Sequence, residues 1–343
     1  MQQKLSKGKL LDENGHLVEA GYATSLVKEY SRDDIKANKW RIKEWDYYLI
    51  YNDKYGVALT IDDNSYMGLN SITLLDFSVP CETTKSPMVF LTKGKVGFPN
   101  TSKEGDVVVE KENYYIKYYN NGKNRKISIW MKNFKDGKDI TGEFELFDEP
   151  KDSMVIAVPF KEKKTHFYYN QKIVGFKVKG LVKLGDEEIV FDEKNTRGIL
   201  DWGRGVWTYK NTWYWGAGAG VIDGKEVGFN IGYGFGDTTM ASENMVFVDG
   251  VAHKLDQITF NIPKDEKGND DYLKPWTFTS NDGRFEMEFT PIIDRHSNAN
   301  VLVISSNQHQ VFGKFNGTIV LDDGKKLKVK DYLAFAEKVV NKW

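Results

Sequence analysis

Phe285-Glu286-Met287-Glu288-Phe289 sets apolar and acidic residues in strict alternation, and that period of two decides the fold class. A strand sends successive side chains to opposite faces, so this segment has one buried and one wet face, as a strand of an antiparallel sheet does. The same reading extends outward. Lys126 to Met131 alternates Ile127 and Ile129 with Ser128 and Trp130, while Tyr47 to Tyr51 and Tyr55 to Ile61 flank Asn52-Asp53. Asn121-Gly122, Asp223-Gly224, Asp249-Gly250 and Asp323-Gly324 stand between apolar runs, where residues tolerant of positive φ close tight hairpins. Successive hairpins imply an up-and-down antiparallel sheet or barrel.

Two segments read as helix. Ser31 to Ala37 opens on a cap-like Ser31-x-x-Asp34. Asp331 to Trp343 places Tyr332, Phe335, Ala336, Val339, Val340 and Trp343 on one face, which predicts a terminal amphipathic helix packed on a barrel. Gly180 to Asp186 and Gly317 to Asp323 share a glycine, alternating apolar positions and a closing turn, and each leads into a further strand. Read as a repeat, they end two units and set a boundary near Asn195, giving 1–195 and 196–343. The expected fold is therefore all-β, with two antiparallel barrels or half-barrels in tandem; 343 residues suffice for two cores.

Composition narrows the function. With 48 Lys and Arg against 49 Asp and Glu, the formal net charge is -1, and no global field recruits nucleic acid. No apolar run serves as a signal-peptide core or an integral membrane segment, and the single cysteine, Cys81, fits a reducing compartment; the expectation is a cytoplasmic protein. The five histidines are scattered, so no metal site is readable. Gly216-x-Gly218-x-Gly220 and Gly232-x-Gly234-x-Gly236 lack the spacing and the following helix of a phosphate loop, and no cofactor is expected.

The chemistry concentrates between Ile199 and Asn244. Here Leu200-Asp201-Trp202-Gly203-Arg204-Gly205-Val206-Trp207 precedes Trp213-Tyr214-Trp215, then Gly216 to Gly220, Gly228-Phe229-Asn230, Gly232 to Asp237 and Ser242-Glu243-Asn244. Trp213 and Trp215 share a strand face, and the glycines strip another of side chains, which makes room for a ligand or for a close-packed neighbour. On the packing reading, large residues fill the space that small ones leave. On the functional reading, Trp202, Trp207, Trp213 and Trp215 wall an apolar pocket into which Asp201, Arg204, Asn230, Glu243 and Asn244 converge, with Trp276 and His309 added from farther along. Asp201 and Arg204 also suit an ion pair that fixes a turn. Glu243 is the candidate acid, because a carboxyl among aromatics is held protonated by desolvation; Asp201 is the alternative.

Asp201-Trp-Gly-Arg-Gly-Val-Trp207, Trp213-Tyr-Trp215, Gly228-Phe-Asn-Ile-Gly232, Glu243-Asn244, Lys274-Pro-Trp276, Phe289-Thr-Pro291 and His309-Gln310-x-x-Gly313 together resemble the bacterial family called domain of unknown function 2804. The resemblance runs from Trp40 and Trp45 to Trp343. More remotely, Gly180 to Asp201 with Trp213-x-Trp215 is similar to the family of hydroxyneurosporene synthase and lipocalin-like proteins, although Leu200 and Arg204 depart from its aromatic pattern. That likeness implies two fused calycin barrels and cofactor-independent, proton-driven hydration or cyclisation of an isoprenoid-like substrate. Three functions follow as expectations: an acid-catalysed hydratase, isomerase or cyclase acting on a small apolar or amphipathic molecule; a lipocalin-like carrier or sensor using the same pocket; or a carbohydrate-binding or glycoside-processing protein.

Overall fold

The computed structural model describes residues 2–301 and 304–342. They form an all-β molecule in which the only helical segments are the 3-10 turns Arg32–Asp34 and Lys39–Arg41. The helix expected over Ser31 to Ala37 shrinks to the first of these, with the Ser31 hydroxyl accepting the Asp33 amide at 3.3 Å. The helix expected at the C terminus is a strand, Lys326–Lys342, hydrogen-bonded on both sides, to Lys210–Ile222 and to Ile304–Val320. Trp343 lies outside the described residues.

One long sheet runs, from edge to edge, through Cys81–Lys85, Met67–Asp76, Tyr55–Asp63, Ile42–Tyr51, Arg197–Val206, Lys163–Leu184, Lys138–Phe147, Arg125–Lys135, Tyr114–Asn120 and Val107–Lys111. A second orders Val251–Lys254, Met245–Val248, Lys225–Tyr233, Lys210–Ile222, Lys326–Lys342, Ile304–Val320, Phe285–Val301, Trp276–Ser280 and Ile258–Asn261. All the pairings along both paths are antiparallel. The strand Arg197–Val206 is hydrogen-bonded within the first sheet, between Ile42–Tyr51 and Lys163–Leu184, and the chain passes to the second sheet after Val206.

Each sheet curls round a core of its own. The first curls into a half-barrel far enough for the Asn70 side-chain amide, near one edge, to donate to the Tyr114 hydroxyl near the other at 3.1 Å. Its interior holds Tyr48, Ile50, Ile72, Ile116, Ile129, Phe144 and Trp202, and the interior of the second holds Phe229, Phe260, Trp276, Phe289 and Phe315. A third core lies where the two sheets face each other, built from Leu49, Tyr51, Leu75, Ile199, Ala217, Phe312 and Phe335. A central strand is thus buried on both faces, and all ten residues of Arg197–Val206 are buried.

Alternation then decides which side chain reaches which core. Leu200, Trp202 and Val206 enter the half-barrel, while Ile199 and its face-mates Asp201, Gly203 and Gly205 turn towards the second sheet. Tyr168, Lys172 and Val174 turn the same way until a bulge at Gly175, φ +110°, resets the register and sends Phe176 and Val178 into the half-barrel.

Candidate active site

Between the sheets the third core opens into a cavity of about 710 Å³. Trp45, Tyr47 and Tyr168 from the first sheet, Trp213 and Trp215 from the second, and Trp207 from the connection supply its aromatic wall. Phe235 completes it. Gly234 and Gly236, at φ +91° and +74°, turn the chain on either side of Phe235, whose ring meets those of Trp207 and Tyr168 at 4.6 Å and of Trp213 at 5.2 Å. The Gly-x-Gly-x-Gly run therefore delivers an aromatic side chain.

Polar groups gather at one part of this wall. Asp201 and Lys172 are paired at 2.7 Å, and each is more than nine-tenths buried. Asn170 donates to the other Asp201 oxygen at 2.6 Å, so both oxygens accept. The Lys172 ammonium also lies 3.9 Å from the centre of the Trp215 ring, a cation–π contact on the far side of its ion pair. Glu243 and Glu337 complete the group, both buried and both lining the cavity.

Desolvation dominates both glutamates. Burial raises Glu243 above the ordinary carboxyl range; the Lys172 charge opposes the shift and Asp201 reinforces it. Burial pushes Glu337 up to about 7, against the hydrogen bond from Trp213 and the charge of Lys172. Glu337 is held on both oxygens: Trp213 Nε1 donates to Oε1 at 3.0 Å, and Gln310 and Gln308 donate to Oε2 at 3.1 and 3.3 Å. Glu243 is placed by its loop. Asn230 donates to the Glu243 carbonyl at 2.8 Å while accepting Trp215 Nε1 at 2.7 Å, and Asn244 accepts the Gly232 amide at 2.7 Å and donates to the Asp256 carbonyl at 2.6 Å. A Cβ at Gly232 would stand 3.0 Å from Glu243 Oε1, so this glycine leaves the carboxyl its space.

Of the residues singled out in the sequence, Glu243, Asp201, Trp207, Trp213 and Trp215 meet at the cavity, and Asn230 and Asn244 lie behind it as supports of the Glu243 loop. The others are elsewhere. Trp202 is inside the half-barrel, edge-on to Tyr30 and Tyr169. Arg204 shares that interior, 4.1 Å over the Trp202 ring, with its guanidinium donating to Asp46 and to the Trp45, Gly203 and Pro99 carbonyls. The expected Asp201–Arg204 ion pair does not form: three positions apart on one strand they point to opposite faces, and each takes a partner from a neighbouring strand. Trp276 is in the core of the second sheet. His309 packs between Tyr272 and His296, at 3.7 and 4.1 Å, and pairs with Asp294 at 2.7 Å on the sheet face away from the cavity.

Lys172, Glu337, Gln310 and Arg295 are cavity residues that the sequence reading did not select, and Gln310 is the immediate neighbour of the histidine it did. The glycine-stripped face of Lys210–Ile222 takes close-packed neighbours, since a Cβ at Gly218 would meet Ala334 at 2.5 Å and Tyr332 at 2.9 Å.

Fold and site define a class of all-β proteins in which two curled antiparallel sheets enclose an aromatic cavity lined by buried carboxyls. The chain belongs to the family Domain of unknown function (DUF2804), whose model matches residues 2–343. Among solved structures it is similar to kievitone hydratase from Nectria haematococca, with 11% identity over 98% of both chains and a TM-score of 0.52. It is also similar to a putative AttH from Nitrosomonas europaea, with 13% identity over 90% of this chain and 95% of that one and a TM-score of 0.47. A third is CghA with Sch210972, with 8% identity over 98% and 97% and a TM-score of 0.46. At such identities the likeness concerns the fold. No curated protein matches. Among the described residues no helix is long and apolar enough to cross a membrane.

Proposed function

We propose that this protein binds a small apolar or amphipathic molecule between its sheets and converts it by cofactor-independent acid–base chemistry: hydration, dehydration, isomerisation or cyclisation. Each curled sheet would then be one calycin-like unit of a double barrel acting inside the cell, with the site at their junction. The observation that carries the reading is the buried pair Glu243 and Glu337, both with proton affinity raised by burial, beside the aromatic wall of the cavity. A protonated carboxyl in such surroundings is a general acid near neutral pH.

In a hydration, the Glu243 proton adds to a carbon–carbon double bond and leaves a carbocation. The faces of Trp213, Trp215 and Phe235 stabilise that positive charge. Water bonds to the cation through oxygen, and its released proton returns to the Glu243 carboxylate, restoring the enzyme. Asp201, with both oxygens already accepting, orients Lys172 and the charge balance of the site rather than donating. A hydratase of similar fold makes water addition the first reaction class to screen.

Native mass spectrometry of the protein purified from its own cells, followed by organic extraction, is the direct test. A retained apolar or amphipathic small molecule supports the reading and supplies the substrate for turnover assays. There Glu243→Gln should lower kcat by a hundredfold or more, the usual worth of a positioned acid. Unchanged turnover in that variant would remove Glu243 from the chemistry, and a molecule always recovered unaltered would make the protein a carrier.

A further inference from the structure

The cavity contains a cation that its carboxylates leave unclaimed. Arg295 lines it from Phe285–Val301 and is partly buried, with its guanidinium tied to both sheets: Nε donates to Thr73 Oγ1 of the first sheet at 3.0 Å, and Nη1 to Gln310 Oε1 of the second at 2.9 Å. Among the described residues no carboxylate lies within 4 Å of it, whereas Lys172, the other cation of the cavity, is spent on Asp201. Both Arg295 partners are neutral acceptors, so they fix the orientation of the fork without cancelling its charge. Among the described residues Nη2 and the second N–H of Nη1 meet no acceptor.

We propose that Arg295 is the anchor for an anionic oxygen group, and that the ligand of this cavity is an amphipathic acid. Its carboxylate or equivalent oxyanion would bond to the free side of the guanidinium, and its apolar body would lie along Trp45, Trp207, Trp213 and Phe235. This rests on the cavity being a small-molecule site and adds the chemical class of the molecule. A guanidinium held in a fixed plane suits two-point recognition of a carboxylate, and charge-assisted bonds of this kind are about twice as strong as neutral ones. At about 710 Å³ the cavity takes a molecule of drug size.

The anchor is also wired to the acid group. Gln310 Oε1 accepts from Arg295 and, at 3.3 Å, from the Tyr47 hydroxyl, which fixes the amide so that its Nε2 donates to Glu337 Oε2. An anion drawn to Arg295 therefore registers the rest of the ligand against Glu337, and Arg295 positions that carboxyl through Gln310.

Tryptophan fluorescence titration with the matched probes 4-pentylbenzoate and 4-pentylbenzamide tests the assignment, since Trp207, Trp213 and Trp215 report on the cavity. The wild-type protein should bind the acid at least tenfold more tightly than the amide. Arg295→Gln should abolish that preference, and Arg295→Lys should restore part of it; an unchanged far-ultraviolet circular dichroism spectrum and urea midpoint show that a variant is folded. Equal binding of the two probes by the wild type, or an undiminished preference in Arg295→Gln, overturns the anchor and leaves the cavity reading intact. Binding of neither probe overturns both.

Discussion

Glu337 shows how one residue converts burial into a measurable property. Its carboxyl sits at about 7 in the folded protein against an ordinary value of 4.5, the chief cause being desolvation. Between those two pH values the folded chain holds a proton that the unfolded chain has released, so stability falls as pH rises through the window. The fall attributable to this one group approaches about 1.4 kcal/mol per pH unit at its steepest. Glu337→Gln removes the titration. The new amide also presents a donor where Gln308 and Gln310 already donate, which adds a penalty that does not vary with pH. Unfolding free energies measured from pH 4.5 to 8.5 should therefore fall less steeply in the variant than in the wild type, whatever the offset between the curves. Parallel curves would mean that Glu337 ionises normally despite its burial. Gly203 makes a related point about space: a Cβ there would stand 1.9 Å from the Trp45 ring, so the indole reaches the cavity wall only because the residue beneath it is glycine.

Among the elements, the C-terminal strand is where sequence and structure part. Tyr332, Phe335, Ala336 and Val339 have the spacing of a helix face, and the strand nevertheless wins because both its faces are buried. Leu333 and Phe335 enter the core between the sheets, Ala334 and Ala336 the core of the second sheet, so the period of two that would mark a strand is erased. Reading it as a helix also hid Glu337, which alternation places on the face of Phe335. Where one face stays wet the sequence speaks plainly, as in Phe285, Met287 and Phe289, or at Asp223-Gly224 and Asp249-Gly250, where both residues of each pair have positive φ. The lining of the candidate site was legible as far as local density could show it, through Asp201, Trp207, Trp213, Trp215 and Glu243. Lys172, Arg295 and Gln310 come singly from distant strands, and Gln310, next in sequence to His309, faces the other side of its sheet. The glycines beside Trp215 were open to two readings, and packing distinguishes them. Gly218→Ala should lower the denaturant midpoint by the equivalent of about 1–3 kcal/mol, the usual cost of overpacking, and leave binding of a cavity probe unchanged. Weakened probe binding at preserved stability would instead return this face to the ligand.

Across the whole molecule the two curled sheets share a core that neither completes alone. Leu49, Leu75 and Ile199 of one meet Ala217, Phe312 and Phe335 of the other, and the buried Tyr51 hydroxyl crosses the interface to accept the Ala219 amide at 2.7 Å, within 3.0 Å of the Ala219 carbonyl and 3.2 Å of that of Leu333. An interface so apolar couples the sheets more tightly than the wet contacts between mobile domains do. It also explains how a cavity at the junction keeps its geometry, because Arg295 and Gln310 on one sheet must hold position against Thr73 and Tyr47 on the other. Separating the sheets would expose the large apolar side chains of the shared core and strip both halves of the site at once. Urea unfolding should accordingly be a single transition, with the cavity tryptophans followed by fluorescence and the strands by far-ultraviolet circular dichroism giving the same midpoint and slope. Two resolved transitions, with the fluorescence change coming first, would show that the sheets part before either unfolds, and would make the site a hinged cleft rather than a fixed cavity.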